Sequence, residues 1–228
     1  MTATAFSRVE PVRVPVRGGV LDADLTVPEG ASGLVIFAHG SGSGRHSPRN
    51  QFVARALQAH GQATLLADLL TLEEERVDRA TAHLRFDIGL LAARVVALLD
   101  WASRDPRLAP LPVGLFGAST GAAAALVAAA TRPDGVSAVV SRGGRPDLAR
   151  ESLDFVAAPT LLIVGSLDTE VIELNEWARK RLHCHTVLEI VPGAAHLFEE
   201  PGTLELVATS AGNWFATYFE DYLRRSRS

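Results

Sequence analysis

The residues Gly117, Ala118, Ser119, Thr120 and Gly121 set one hydroxyl between two glycines, after an apolar run and before a string of alanines. This is the G-x-S-x-G pattern, in which a strand turns sharply into a helix and leaves the serine exposed at the bend. Bulky side chains two positions to either side would strike the strand or the helix, so small residues there are a steric requirement. Such a hydroxyl offers nucleophilic attack, but only if a base takes its proton and a carboxylate orients the base. Two later segments supply both. "LLIVGSLDTEV" places Asp168 just past a strand, with Glu170 and Glu173 as alternatives should the loop be shifted. "LEIVPGAAHLFEE" places His196 past the next strand. The other histidines (His39, His46, His60, His83, His183 and His185) follow no late strand with a small-residue turn.

An oxyanion needs donors as well. One is the backbone N–H that follows the nucleophile, at Thr120. The other is expected from "HGSGSGRHSPRN", where the residue after the His39-Gly40 pair is Ser41. His39 is expected to fix that loop through hydrogen bonds and to take no part in proton transfer.

These groups need a frame that brings them together. "GLVIFAHG", "QATLLAD" and "PVGLFG" are short continuous apolar runs, the mark of strands buried on both faces. Between them, "SPRNQFVARALQAHG" predicts a helix with Ser47 as N-cap and Pro48 at its first position. "VRVPVRGGVLDADLTVPEG" reads as two strands around Gly18 and Gly19. Further helices are predicted in "FDIGLLAARVVALLDWASR", from Ser119 to about Arg132, in "EVIELNEWARKRL" and in "TLELVATSAGNWFATYFEDYL". Residues 72–76, "LEEER", read as a solvated face of an excursion after a strand, with a flap over the pocket as its other role. The alternation predicts an α/β fold, a mostly parallel central sheet of about eight strands with helices on both faces. With no repeat or linker in view, residues 1–228 read as a single domain.

The stretches "HGSGSGRHSPRN", "GLFGASTGAAAA", "GSLD" and "PGAAHLFEEPG" together resemble the dienelactone hydrolase family of the α/β-hydrolase superfamily. They are closest to small bacterial serine hydrolases of that branch that also occur fused to phosphoribosyltransferase domains. The resemblance covers nearly the whole chain, in the order Ser…Asp…His that this fold requires. It implies a Ser119–His196–Asp168 triad, ester-type hydrolysis and no cofactor. The chain departs from dienelactone hydrolases proper at the nucleophile, which is cysteine there and Ser119 here. The expected activity is therefore general cleavage of small carboxylic esters or lactones through an acyl-enzyme. Acyl transfer or thioester cleavage on the same triad is the alternative within enzymes, and a non-catalytic ligand-binding protein is the alternative outside them.

Other readings fail on the residues. A dinucleotide fingerprint in "HGSGSGR" would need glycine where Arg45 stands. His183 and His185 enter a strand as near neighbours about a lone Cys184, which suits a buried filler better than a metal site. A net charge of -4 gives no footprint for nucleic acid. No apolar run suits a membrane span, and the first residues lack the apolar core of a signal peptide, so a cytoplasmic monomer or homodimer is expected. Arg142, in "VVSRGGRPD", should stand at the carboxyl end of the strand beside the nucleophile strand. It is read either as a clamp for a substrate carboxylate, since related lactone hydrolases act on an anionic substrate, or as a structural partner of Asp147 or Asp168. Arg145 is expected to face solvent.

Overall fold

Continuous apolar runs become strands buried at nearly every residue, and the sheet they form sets the site. The computed structural model describes residues 8–226. An antiparallel hairpin of β1 (Glu10–Val16) and β2 (Gly19–Thr26) opens the fold. β3 (Leu34–Ala38) and β4 (Ala63–Ala67) flank α1 (Pro48–Ala59), whose Ser47 cap accepts a hydrogen bond from Asn50 N–H. Next come α2 (Leu72–Thr81), α3 (Ile88–Ala102), β5 (Val113–Ala118) and α4 (Thr120–Thr131). After β6 (Ala138–Arg142), a 3-10 stretch over Pro146–Phe155 bends at Arg150 and leads to β7 (Thr160–Gly165). α5 (Thr169–Arg181), β8 (Thr186–Val191) and α6 (Thr203–Arg225) complete the described chain.

The "LEEER" segment is the start of α2, a helix largely open to solvent. Thr71 and Glu74 close a capping box, each side chain accepting the other's backbone N–H. Glu74 also accepts from buried Arg94 at 2.5 Å, which ties α2 to α3.

The eight strands lie in the order β1-β2-β4-β3-β5-β6-β7-β8. β1–β2 and β2–β4 are antiparallel, and the other pairs are parallel. The chain leaves β3 towards β4 on one side and returns at β5 on the other. The direction of winding therefore reverses between β3 and β5, where open α/β sheets keep a crevice at the strands' carboxyl ends. One face of the sheet is covered by α3 and α4, the other by α1 and α6. Among the described residues, no helix is long and apolar enough to cross a membrane.

α6 reaches the sheet through two phenylalanines that lie over glycines. A Cβ on Gly114 would fall 2.4 Å from the Phe215 ring, and one on Gly33 would fall 2.2 Å from Phe219. Both rings are fully buried, so neither can swing out into water. Gly114→Ala should therefore overpack this layer and lower the unfolding free energy by about 1–3 kcal/mol. Urea denaturation measures it, and an unchanged midpoint would contradict the packing described.

Candidate active site

Ser119 joins β5 to α4 at φ 50 and ψ -122, a region that costs a non-glycine residue about 1–3 kcal/mol. The glycines on either side leave room for so tight a bend. A Cβ on Gly117 would lie 2.4 Å from Ala122 Cα, and one on Gly121 would lie 2.1 Å from the Ala38 carbonyl oxygen. The bend is pinned from β6, since Ser119 N–H donates to Arg142 O at 3.3 Å and Arg145 N–H donates to Ser119 O at 3.1 Å. The Ser119 hydroxyl does not cap α4 and has no hydrogen-bond partner among the described residues.

His196 lies in the loop between β8 and α6, and Asp168 follows β7 as the N-cap of α5. Imidazole Nδ1 is 2.6 Å from Asp168 Oδ2. The carboxylate is the more buried partner, at 16% exposure against 38% for the imidazole. Gly143 admits this loop beside the bend at Ser119. At φ 50, it would carry a Cβ 3.0 Å from His196 O and 3.6 Å from His196 Nδ1. Neither Glu170 nor Glu173 takes the place of Asp168 against the imidazole. Ser119 Oγ and His196 share no hydrogen bond among the described residues.

Of the other histidines, His60 Nδ1 bonds to Ala56 O and His185 Nδ1 to Tyr218 Oη. His183 and His185 do not converge, and no metal-ligating cluster exists among the described residues. Cys184 is a free, half-buried thiol packed beside Thr160.

The loop after β3 departs from expectation at one atom. Ser41 N–H, expected to face the oxyanion directly, donates to Thr120 Oγ1 at 2.9 Å. Parallel pairing of β3 with β5 brings the two loops together, and the lack of a side chain on Gly121 lets them touch. His39 fixes the start of this loop. Its Nδ1–H donates to Gly40 O at 2.9 Å, while its Nε2 accepts Leu69 N–H at 3.0 Å. Only the neutral ring can make both bonds, and burial accordingly holds its pKa below the ordinary histidine value.

Arg142, the last residue of β6, pairs with neither Asp147 nor Asp168. It is buried, its Nε has no partner, and its guanidinium stands 5.9 Å from the Phe198 ring. Burial and the nearby Arg49 push its pKa down to about 10, which leaves it charged at neutral pH. Arg145, expected to face solvent, is half-buried and holds Asp147 through two bonds of 2.9 and 2.8 Å. With only one residue between them, that fork closes locally and takes the carboxylate Arg142 was expected to use.

The chain matches the dienelactone hydrolase family over residues 21–220. It belongs to that family. A dienelactone hydrolase from Anabaena variabilis, known from its crystal structure, is 57% identical, with a TM-score of 0.92 over 93% of this chain and 98% of that one. Est1E from Butyrivibrio proteoclasticus shares the fold at 18% identity, with a TM-score of 0.77 over 92% of this chain and 99% of its own. Two Mycobacterium tuberculosis proteins, provisionally named phosphoribosyl transferases, are 59% identical over 202 residues. That match takes in 89% of this chain and 44% of theirs, so the chain spans less than half the length of these curated relatives.

The buried His39 makes the protein's stability depend on pH. Unfolding frees a ring that titrates near about 6.5, whereas the folded ring refuses the proton to a lower pH. Between those values the unfolded state binds more protons, so stability is full above the unfolded pKa and falls with pH until the folded ring titrates. Urea titrations between about pH 5 and 8 should show a steeper acid loss in wild type than in His39→Asn. Parallel curves for the two proteins would remove His39 from this role.

Proposed function

We propose that the protein is a serine hydrolase that cleaves small carboxylic esters or lactones through an acyl-enzyme on Ser119. The observation that carries this reading is the backbone of Ser119 itself. Ser119 holds φ 50 and ψ -122 at the turn from strand to helix between two glycines, the bend by which a nucleophile stands clear of both. Asp168 accepts from His196 Nδ1–H, which leaves Nε2 as the basic nitrogen.

In the forward step Ser119 Oγ attacks the acyl carbon while His196 Nε2 takes the hydroxyl proton. The carbonyl π pair moves onto oxygen, and Thr120 N–H, at the open first turn of α4, faces the charge that develops. Collapse of the adduct expels the alkoxide, which takes the proton from His196. Water then repeats the sequence on the acyl-enzyme and releases the acid and free Ser119. Protein side chains carry every proton in this cycle.

Arg142 supports a substrate that bears a carboxylate. A buried guanidinium without a counter-ion is costly, and a bound anion would offset that cost at the carboxyl end of β6. Arg49 stands close by, adding a second positive charge while holding Glu199 at 3.0 Å.

Two measurements test these assignments. Ser119→Ala should lose up to about 10⁶ in kcat on p-nitrophenyl acetate and keep its fold, with Asp168→Asn less affected. More than a tenth of wild-type turnover in Ser119→Ala would sink the nucleophile assignment. Arg142→Gln should lose far more kcat/KM on an ester with a free carboxylate than on a matched neutral ester. Equal losses on the two would make Arg142 a purely structural cation.

A further inference from the structure

We propose that the side-chain hydroxyl of Thr120 is itself an oxyanion donor, with Ser41 N–H acting through it. This rests on the serine-hydrolase reading above. The observation behind it is the 2.9 Å bond from Ser41 N–H to Thr120 Oγ1 across 79 residues of sequence. That bond consumes a lone pair on Oγ1 and leaves the Thr120 proton unassigned.

Helical threonines elsewhere in the chain show where such a proton ordinarily goes. Thr81, Thr131, Thr209 and Thr217 each donate to the carbonyl four residues earlier. Thr120 is the first residue of α4, so no helical carbonyl precedes it, and its O–H donates to nothing among the described residues. The residue is 5% exposed, which leaves little water to receive the proton. A buried donor without an acceptor, one residue after the nucleophile, points to an acceptor that arrives with the substrate.

Oxyanion donors work at about 2.7–3.1 Å from the charged oxygen. Ser41 N–H already has its acceptor at that range, so it cannot serve the oxyanion at full strength while Oγ1 holds it. A hydroxyl that accepts an N–H is polarised and donates more strongly, so Ser41 strengthens the Thr120 O–H it binds. As the Ser119 Oγ–carbon bond forms, the carbonyl π pair moves onto oxygen and receives hydrogen bonds from Thr120 N–H and Thr120 O–H. No proton leaves Thr120. When the adduct collapses the pair returns to the carbonyl, and both bonds weaken. Thr120 is a catalytic residue on this account, and Ser41 is a positioning residue.

The test uses the full chain with Thr120→Ser, Thr120→Val and Thr120→Ala, assayed on p-nitrophenyl acetate. Thr120→Ser keeps the hydroxyl and should stay within a few-fold of wild type. Val, which matches the shape, and Ala, which leaves space, should each lose about 10²–10³ in kcat with little change in KM. Affinity for a trifluoromethyl ketone, whose serine adduct carries the oxyanion, should fall by the same factor. Thermal melting monitored by circular dichroism checks that each variant is folded. Turnover in Thr120→Ala at or above the wild-type level would overturn the proposal, since Oγ1 would then only be withholding Ser41 N–H from the oxyanion. Ser119→Ala in the same assay separates the two ideas. An active Ser119→Ala removes the serine-hydrolase reading, whereas an inactive one beside an active Thr120→Ala removes only the role given to Thr120.

Discussion

The first turn of α4 lies against the ends of β3 and β5 at a distance that no side chain would permit. With hydrogen in place of a Cβ, Gly121 clears the Ala38 carbonyl and Gly117 clears the Ala122 backbone. Ala122 to Ala125, which follow in α4, are all fully buried. Much else follows from this one close approach. The turn at Ser119 accompanies it at φ 50, and Thr120 lies against the loop after β3. The close approach also sets the helix N-terminus, with its unpaired N–H groups, at the point where the winding of the sheet reverses.

Electrostatics around the sheet's carboxyl end follow a different rule from the rest of the molecule. Elsewhere the buried and half-buried arginines have carboxylates: Arg45 with Asp68, Arg85 with Asp78, Arg94 with Glu74, Arg145 with Asp147 and Arg181 with Asp154. Arg142 is the exception, and its nearest charged influence is another cation, Arg49. Packing alone does not call for such an arrangement, because an apolar side chain over Phe198 would fill the space without the cost of desolvation. On the proposed reading, the unpaired Arg142 at the carboxyl end of β6 is where a substrate carboxylate would complete the charge balance.

Much of this was legible in the sequence, because the fold rests on local signals. Apolar runs marked β3, β4 and β5, and Ser47 with Pro48 marked the start of α1. The approach of Asp168 to His196 followed from their places after consecutive strands. α2 was missed as a helix although Thr71 and Glu74 carried the S/T-x-x-E signature of its cap. What the sequence did not carry were the pairings made across the fold. Whether Asp147 bonds to Arg142 or Arg145 depends on side-chain reach, and the nearer arginine closed the fork. The bond between Ser41 and Thr120 depends on strand order, and no spacing in the chain encodes it.

The left-handed backbone at Ser119 also makes that position a record of selection. Glycine adopts φ 50 without penalty, so a lineage with no further use for the hydroxyl would gain stability by exchanging it. Most positions in a protein drift towards stability or neutrality once their task lapses, and here that drift runs directly away from serine. A homologue with glycine in this place has the history of an abandoned trade. On the proposed reading, one that keeps serine there bears that backbone cost for the sake of a single oxygen atom.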